Sequence, residues 1–320
     1  MKNSFNDLLG QLVRPKSAKP EPFVELIHGD CLVKMKDIPN NSIHLVLTDP
    51  PYFLDCLSDE WDTEKINKRK KRAGIVGGLP VGMKFDPQQG VELQKFFESV
   101  SKEVLRILVP GAFFISFSQP RLSHRMIIGA ENSGFEIRDL LAWHYRNKAQ
   151  FKAFSQDHFV RKMNISNLEK KDLIRQMQGR KTPQLRPQFE TMMLAQKPKE
   201  GTFVENWKKW KAGLIDATRT LNGTKSPSTL MTVDKPIREK YNLHLTVKPV
   251  HLLKHLIELF TIGGQVVCDP FLGSGSTALA AIQAEPEPRS CIGIEINKEF
   301  LKIAQERLRD FNVIQGAKNA

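Results

Sequence analysis

Short apolar runs separated by helical periodicity organise most of the chain. Val24–Ile27, Ile43–Leu47, Ala112–Phe117, Leu140–Tyr145, Thr191–Ala195, Gln265–Cys268 and Cys291–Ile294 have the length and apolar content of strands. Amphipathic or alanine-rich helical patterns follow several of them: Val91–Leu108, closed by Val109-Pro110-Gly111, then Leu252–Phe260, Ala278–Ala284 and Lys298–Phe311. Strands that are apolar on both sides and alternate with helices predict an α/β fold, a largely parallel sheet covered on both faces. Phe53–Gly90, Asn147–Gln184 and Pro198–His244 break the alternation and are expected to be inserts on that scaffold. Residues 1–22 form an N-terminal tail to a single domain, 23–320. No apolar run approaches the roughly 18 residues of a membrane span, and the first twenty residues lack a continuous hydrophobic stretch. A membrane or secreted protein is therefore not expected, and a cytoplasmic one is.

Charge sharpens this picture because it is unevenly placed. The 320 residues carry 48 Lys+Arg against 35 Asp+Glu, a net +13, and His144–Lys248 alone holds 22 basic and 9 acidic residues. The rest of the chain is therefore neutral. A basic excess confined to one segment points to a docked polyanion, since cations that neutralise phosphates release condensed counterions. Lys65–Arg72, with six basic residues in eight, is a second basic stretch and includes Lys68, Arg69, Lys70, Lys71 and Arg72. Lys181, Arg186, Lys208 and Lys209 are the further candidates for nucleic-acid contact. Trp207 and Trp210 suit either base contact or a small satellite core. Cys31, Cys56, Cys268 and Cys291 lie far apart with no C-x-x-C pair, so reduced thiols are expected and a zinc site is not.

Two motifs carry chemistry. Val266–Phe271 leads into Gly273-Ser274-Gly275 and an alanine-rich helix, a strand–turn–helix whose glycines allow positive φ and close backbone approach, with free amides at the helix start. Glu295 ends the following strand, where an acid can accept hydrogen bonds from both hydroxyls of a ribose. A nicotinamide dinucleotide would also suit the glycine pattern, but fewer than 50 residues follow the loop. The second motif is Asp49-Pro50-Pro51-Tyr52, delivered at the carboxyl end of Ile43–Thr48. The lone pair of an exocyclic amine on a nucleobase is delocalised into the ring. Acceptors at the Asp49 carboxylate and the stiffened Pro50 carbonyl would favour the pyramidal nitrogen that attacks a methyl group, while Tyr52 offers a stacking face for an extruded base.

With His28-Gly29-Asp30-Cys31, Ala112–Phe117, Arg186–Glu190, Thr246-Val247-Lys248-Pro249 and Asp269-Pro270-Phe271, these motifs resemble the S-adenosylmethionine-dependent DNA amino-methyltransferases, in the group whose catalytic motif precedes the cofactor motif. Val247 and Ser276 depart from the more frequent Gln and Thr. The resemblance implies a Rossmann-like, seven-stranded, circularly permuted sheet with one antiparallel strand and inserted basic target-recognition segments. It implies S-adenosyl-L-methionine as cofactor, with Asp30 and Cys31 at its adenine, Glu295 at its ribose, and Asp269, Phe271, Gly273, Ser274 and Gly275 at its methionine portion, closed over by Thr246 and Lys248. Asp30 alternatively caps a helix, and Lys248 alternatively meets phosphate. Double-stranded DNA is the expected partner, alongside a second copy of the chain and a cognate restriction endonuclease, in a bacterial or phage setting. Adenine N6 is favoured over cytosine N4 as the target. An RNA or protein methyltransferase would more often carry Asn at position 49 and the reverse motif order, and a non-catalytic DNA-binding module would not need Asp49, Gly273, Gly275 and Glu295 intact. No metal is expected.

Overall fold

The computed structural model describes residues 21–51, 87–146, 153–183, 185–221, 223–236 and 247–311. Among them the chain runs β1 (Val24–His28), α1 (Cys31–Lys34), β2 (Ile43–Thr48), α2 (Pro87–Ile107), β3 (Leu108–Ser118), α3 (Ser123–Asn132), β4 (Glu136–His144) and α4 (Asp157–Lys162). It continues with α5 (Asn167–Gln176), β5 (Phe189–Gln196), α6 (Phe203–Trp210), β6 (Leu230–Thr232), α7 (Val250–Phe260), β7 (Val266–Asp269), α8 (Ser276–Ile282), β8 (Ser290–Glu295) and α9 (Lys298–Asp310).

All the strands join one sheet in the order β1-β8-β7-β2-β3-β5-β4-β6. β5 runs antiparallel to both its neighbours, and the remaining pairs are parallel. The strand count exceeds the expected seven by β6, which adds Leu230–Thr232 to the edge beside Ala142–His144. Three residues are too few to register as an apolar run. Side chains alternate between two cores, as a two-residue period requires. Leu45, Leu47, Phe113 and Ile115 face α7, α8 and α9, whereas Val46 and Phe114 face α1, α2 and α3. Burial on both faces is what makes these strands continuous apolar runs in sequence.

Two boundaries differ from expectation. Val109-Pro110-Gly111 does not merely end α2; it opens β3, whose register with β2 shifts between Ile43 and Leu45. Proline lacks an N–H and is tolerated at such an irregularity. Gly111 follows at φ +80°, where a Cβ would come within 2.4 Å of the Asn206 side-chain amide. The second difference is α6, which lies within the segment read as a nucleic-acid insert. A capping box of Thr202 and Glu205 starts it, and its fully buried Asn206 donates to the carbonyls of Pro110 and Ala212 at 3.0 and 2.9 Å. These bonds hold α6 at the amino-terminal end of β3.

Candidate active site

The carboxyl ends of β2, β7 and β8 build the site, as strand ends do in open α/β sheets. β2 is covered on both faces and stops at Thr48, whose hydroxyl donates to Asp269 at 2.6 Å across 221 positions of sequence. Asp269, at the end of β7, also accepts from the Phe271 amide at 3.1 Å and from Thr277. Burial pushes its carboxyl up to about 6, against the pull of these hydrogen bonds. Asp269 thus fastens the glycine turn to the end of β2. Phe271 is half-buried with its ring edge-on to Phe96, centroids 6.1 Å apart.

The glycines answer specific demands. Gly275 heads α8 at φ +80°, and a Cβ there would lie 2.9 Å from that of Ala304. Gly273, at φ +56°, has space in front of it: a Cβ would meet no heavy atom of the described residues within 4 Å outside the adjoining chain. Its amide donates to Glu295 at 2.8 Å, and the Asn297 amide donates to the other Glu295 oxygen at 2.8 Å. Burial raises the Glu295 carboxyl. The Ile296 amide also bonds this carboxylate, which leaves acceptor capacity for an incoming hydroxyl. Ser274 is buried, with Arg307 bonded to Ser276 beneath the turn at 2.8 Å.

Asp30 lies at the end of β1, next to β8, where the Gly29 amide meets the Glu295 carbonyl at 3.0 Å. Its carboxylate caps α1, accepting from the Leu32 amide at 2.7 Å, so the helix-cap reading holds; the side chain is also exposed at the lip beside Glu295. Cys31 turns into the core, and burial, with Asp30 alongside, pushes its thiol up to about 12. An acidic lip, an open glycine cradle and a helix N-terminus fit an adenosyl sulfonium, with hydroxyls at Glu295 and the methionine carboxylate at the turn amides.

Lys248 lies between two carboxylates and an aromatic ring. It ion-pairs with Asp49, lies 3.4 Å from Glu190 and sits 4.9 Å above the centre of the Phe117 ring, its side chain 7% exposed. Burial opposes its charge, and the carboxylates of Asp49 and Glu190 outweigh burial, so the ammonium titrates above the ordinary lysine range. Lys235 extends the cluster, 3.8 Å from Glu190 and 3.9 Å from the centre of the Tyr145 ring. Sequence reasoning included Glu190 only within the Arg186–Glu190 motif, with no role, and passed over Lys235. Glu190 is the lone acid between Asp172 and Glu200, at the start of a strand that enters the sheet from the catalytic edge, and that was the available signal.

Pro50 is buried and Pro51 half-buried behind Asp49. Tyr52, Thr246, Cys56 and the stretch containing Lys68, Arg69, Lys70, Lys71 and Arg72 lie outside the described residues. Lys181 and Arg186 are exposed on the chain between β4 and β5, which leaves and re-enters the sheet at the catalytic edge. Lys208 and Lys209 are not brought to that edge. They are carried by α6 at the opposite edge, Lys209 pairs with Glu200 at 2.7 Å, and Trp210 donates to the same carboxylate while packing on the core. Gly111 precedes Ser116, the β3 partner of Thr48, by five residues, or roughly 16 Å of strand. Among the described residues no cluster of His, Cys, Asp or Glu is placed to hold a metal, and no helix is long and apolar enough to cross a membrane.

The family described as DNA methylase, N6_N4_Mtase, matches residues 43–306. The chain belongs to this family. Its sequence is 32% identical over 307 residues to the Type II methyltransferase M.HindIII of Haemophilus influenzae, covering 88% of this chain and 94% of the relative. It is 26% identical to the DNA adenine methyltransferase YhdJ of Escherichia coli, covering 88% and 82%. Among solved structures, the cytosine-N4-specific PvuII DNA methyltransferase superposes with a TM-score of 0.58 at 18% identity, covering 93% and 88%. The M1.HpyAVI–SAM complex superposes at 0.53 and 19%, covering 89% and 99%. These likenesses carry the methyltransferase fold. The methylase is thus a DNA methyltransferase of the N6/N4 family, on the sheet the motifs implied plus one edge strand.

Proposed function

We propose that this methylase transfers a methyl group from S-adenosyl-L-methionine to the N6 amine of adenine in double-stranded DNA. The observation that carries the reading is the Thr48–Asp269 hydrogen bond. It joins the strand that delivers Asp49 to the strand that delivers the glycine turn, so amine acceptor and cofactor cradle share one edge. The cofactor supplies an electrophilic methyl on a sulfonium. Asp49 and the Pro50 carbonyl accept hydrogen bonds from the target amine and aim its nitrogen at that methyl. The N–C bond forms as the S–C bond breaks, and the amine proton passes to Asp49 or to water. Lys181 and Arg186 contact DNA from the insert above this edge, and Tyr52 stacks on the extruded base.

Aspartate at position 49 and the adenine enzyme YhdJ among the relatives support adenine. The Type II relatives support a cytoplasmic modification enzyme with a cognate restriction endonuclease; a second copy of the chain is proposed as a further partner on the family resemblance alone. DNA from cells expressing the chain, sequenced by a method that distinguishes the two modified bases, is expected to carry 6-methyladenine at one short motif. 4-Methylcytosine in its place would transfer the same geometry to cytosine.

A further inference from the structure

The Asp49–Lys248–Glu190 cluster asks why a group meant to receive an amine is already paired with a buried cation. Lys248 reaches it from the turn before α7, Glu190 from the start of β5, and the Phe117 ring lies beneath the ammonium. Lys235 faces Glu190 from beyond β6, Tyr145 lies under Lys235, and Asp269 acts on Asp49 from β7. Asp49 cannot serve the incoming amine and Lys248 equally. A buried ammonium abandoned by its only carboxylate would be costly, but Lys248 has a second carboxylate within reach.

Resting on the proposed function, we propose that Lys248 and Glu190 are a positioning pair: Lys248 holds the Asp49 carboxylate in place before the base arrives, and Glu190 takes Lys248 over when Asp49 turns to the target amine. The handover leaves Lys248 and Lys235 both on Glu190 and frees the Asp49 carboxylate of its cation. The freed carboxylate opposes the positive charge the amine gains as its new N–C bond forms. Without Glu190, the cation would stay on Asp49 and repel that developing charge. Without Lys248, Asp49 and Glu190 would face each other as like charges.

Single-turnover methylation, measured against pH on a duplex carrying the mapped target site, tests the pair. Glu190→Gln should slow transfer by about tenfold or more at pH 7 and move the acid limb of the profile down, with DNA and cofactor affinities by calorimetry within about threefold. Lys248→Met should move the limb up by about one pH unit or more, Lys248→Arg should keep it in place, and Lys248→Met/Glu190→Gln should bring it between those of the single variants. Acid limbs that coincide with the parent in Glu190→Gln and Lys248→Met, whatever the loss in rate, would overturn the proposal. If Lys248→Met does not fold, an unmoved limb in Glu190→Gln decides against it alone. Asp49→Ala separates the two readings. Full activity there would remove the catalytic assignment itself, whereas its loss together with unmoved limbs removes only the positioning pair.

Discussion

On the proposed function, replacing Asp49 by alanine takes away the amine acceptor and leaves the Gly273 turn untouched, so methyl transfer should vanish while cofactor affinity stays within a few-fold. Groups that act on the transition state show in turnover more than in binding. Glu295→Ala should do the reverse. It removes the acceptor for the Gly273 and Asn297 amides and, on the proposed function, for the ribose, so calorimetry should show cofactor binding weakened by about 1.5–3 kcal/mol. Saturating cofactor should then restore much of the rate. The buried thiols belong to this scale too. Burial raises Cys31, Cys268 and Cys291, so an aromatic disulfide reagent should leave these three unmodified in the folded protein and label them on denaturation.

At the scale of elements, α6 redistributes the basic segment. Lys208 and Lys209 ride on a helix pinned to the start of β3, whereas Lys181 and Arg186 lie on the stretch between β4 and β5 at the catalytic edge. Lys181→Ala/Arg186→Ala should therefore weaken DNA binding and flatten its salt dependence by roughly one unit of slope per lost phosphate contact, while Lys208→Ala/Lys209→Ala should leave both unchanged. Fluorescence anisotropy at several salt concentrations distinguishes the two. Charge counted along the sequence could not make this separation, because a net charge carries no information about which edge a helix packs on. The Thr202-x-x-Glu205 box announced the helix locally, but its docking depends on Asn206 reaching Pro110, 96 positions away. The central strands were legible because both their faces are buried. β6 was not, because its place depends on pairing with β4. The placement of Asp49, Gly273, Gly275 and Glu295 was legible because strand ends and a glycine turn are set by local sequence. The partnership of Asp49 with Lys248 and Glu190 joins three distant segments and was not.

For the molecule as a whole, the central hydrogen-bonded carboxyl at Asp269 couples stability to pH. Its ordinary value is 3.8 and in the folded chain it rises to about 6, so the folded state holds the proton more tightly than the unfolded one. Its contribution is full below 3.8 and is lost as pH rises through about 6. Thermal unfolding between pH 4 and 6.5 should show this decline in the parent relative to Asp269→Asn, which has no proton to release there. The decline belongs to this one group and is superimposed on whatever the other carboxylates contribute.

The Thr48–Asp269 bond also dates the birth of the enzyme on the ribosome. Its two halves are 221 positions apart, and those of the Asp49–Lys248 pair 199 apart. At roughly 5–20 residues per second, β7 follows β2 out of the exit tunnel after roughly 10–45 s. Throughout that interval the nascent chain carries the Asp-Pro-Pro-Tyr tetrapeptide, and β2 can pair with β3, but the side of β2 that will receive β7 has no partner strand. A translation product that stops before residue 266 therefore keeps Asp49-Pro50-Pro51-Tyr52 and has no glycine turn to set against it. Synthesis interrupted before that point should give inert chains instead of enzymes with relaxed control, because the earlier residues act only once β7 and its glycine turn have arrived.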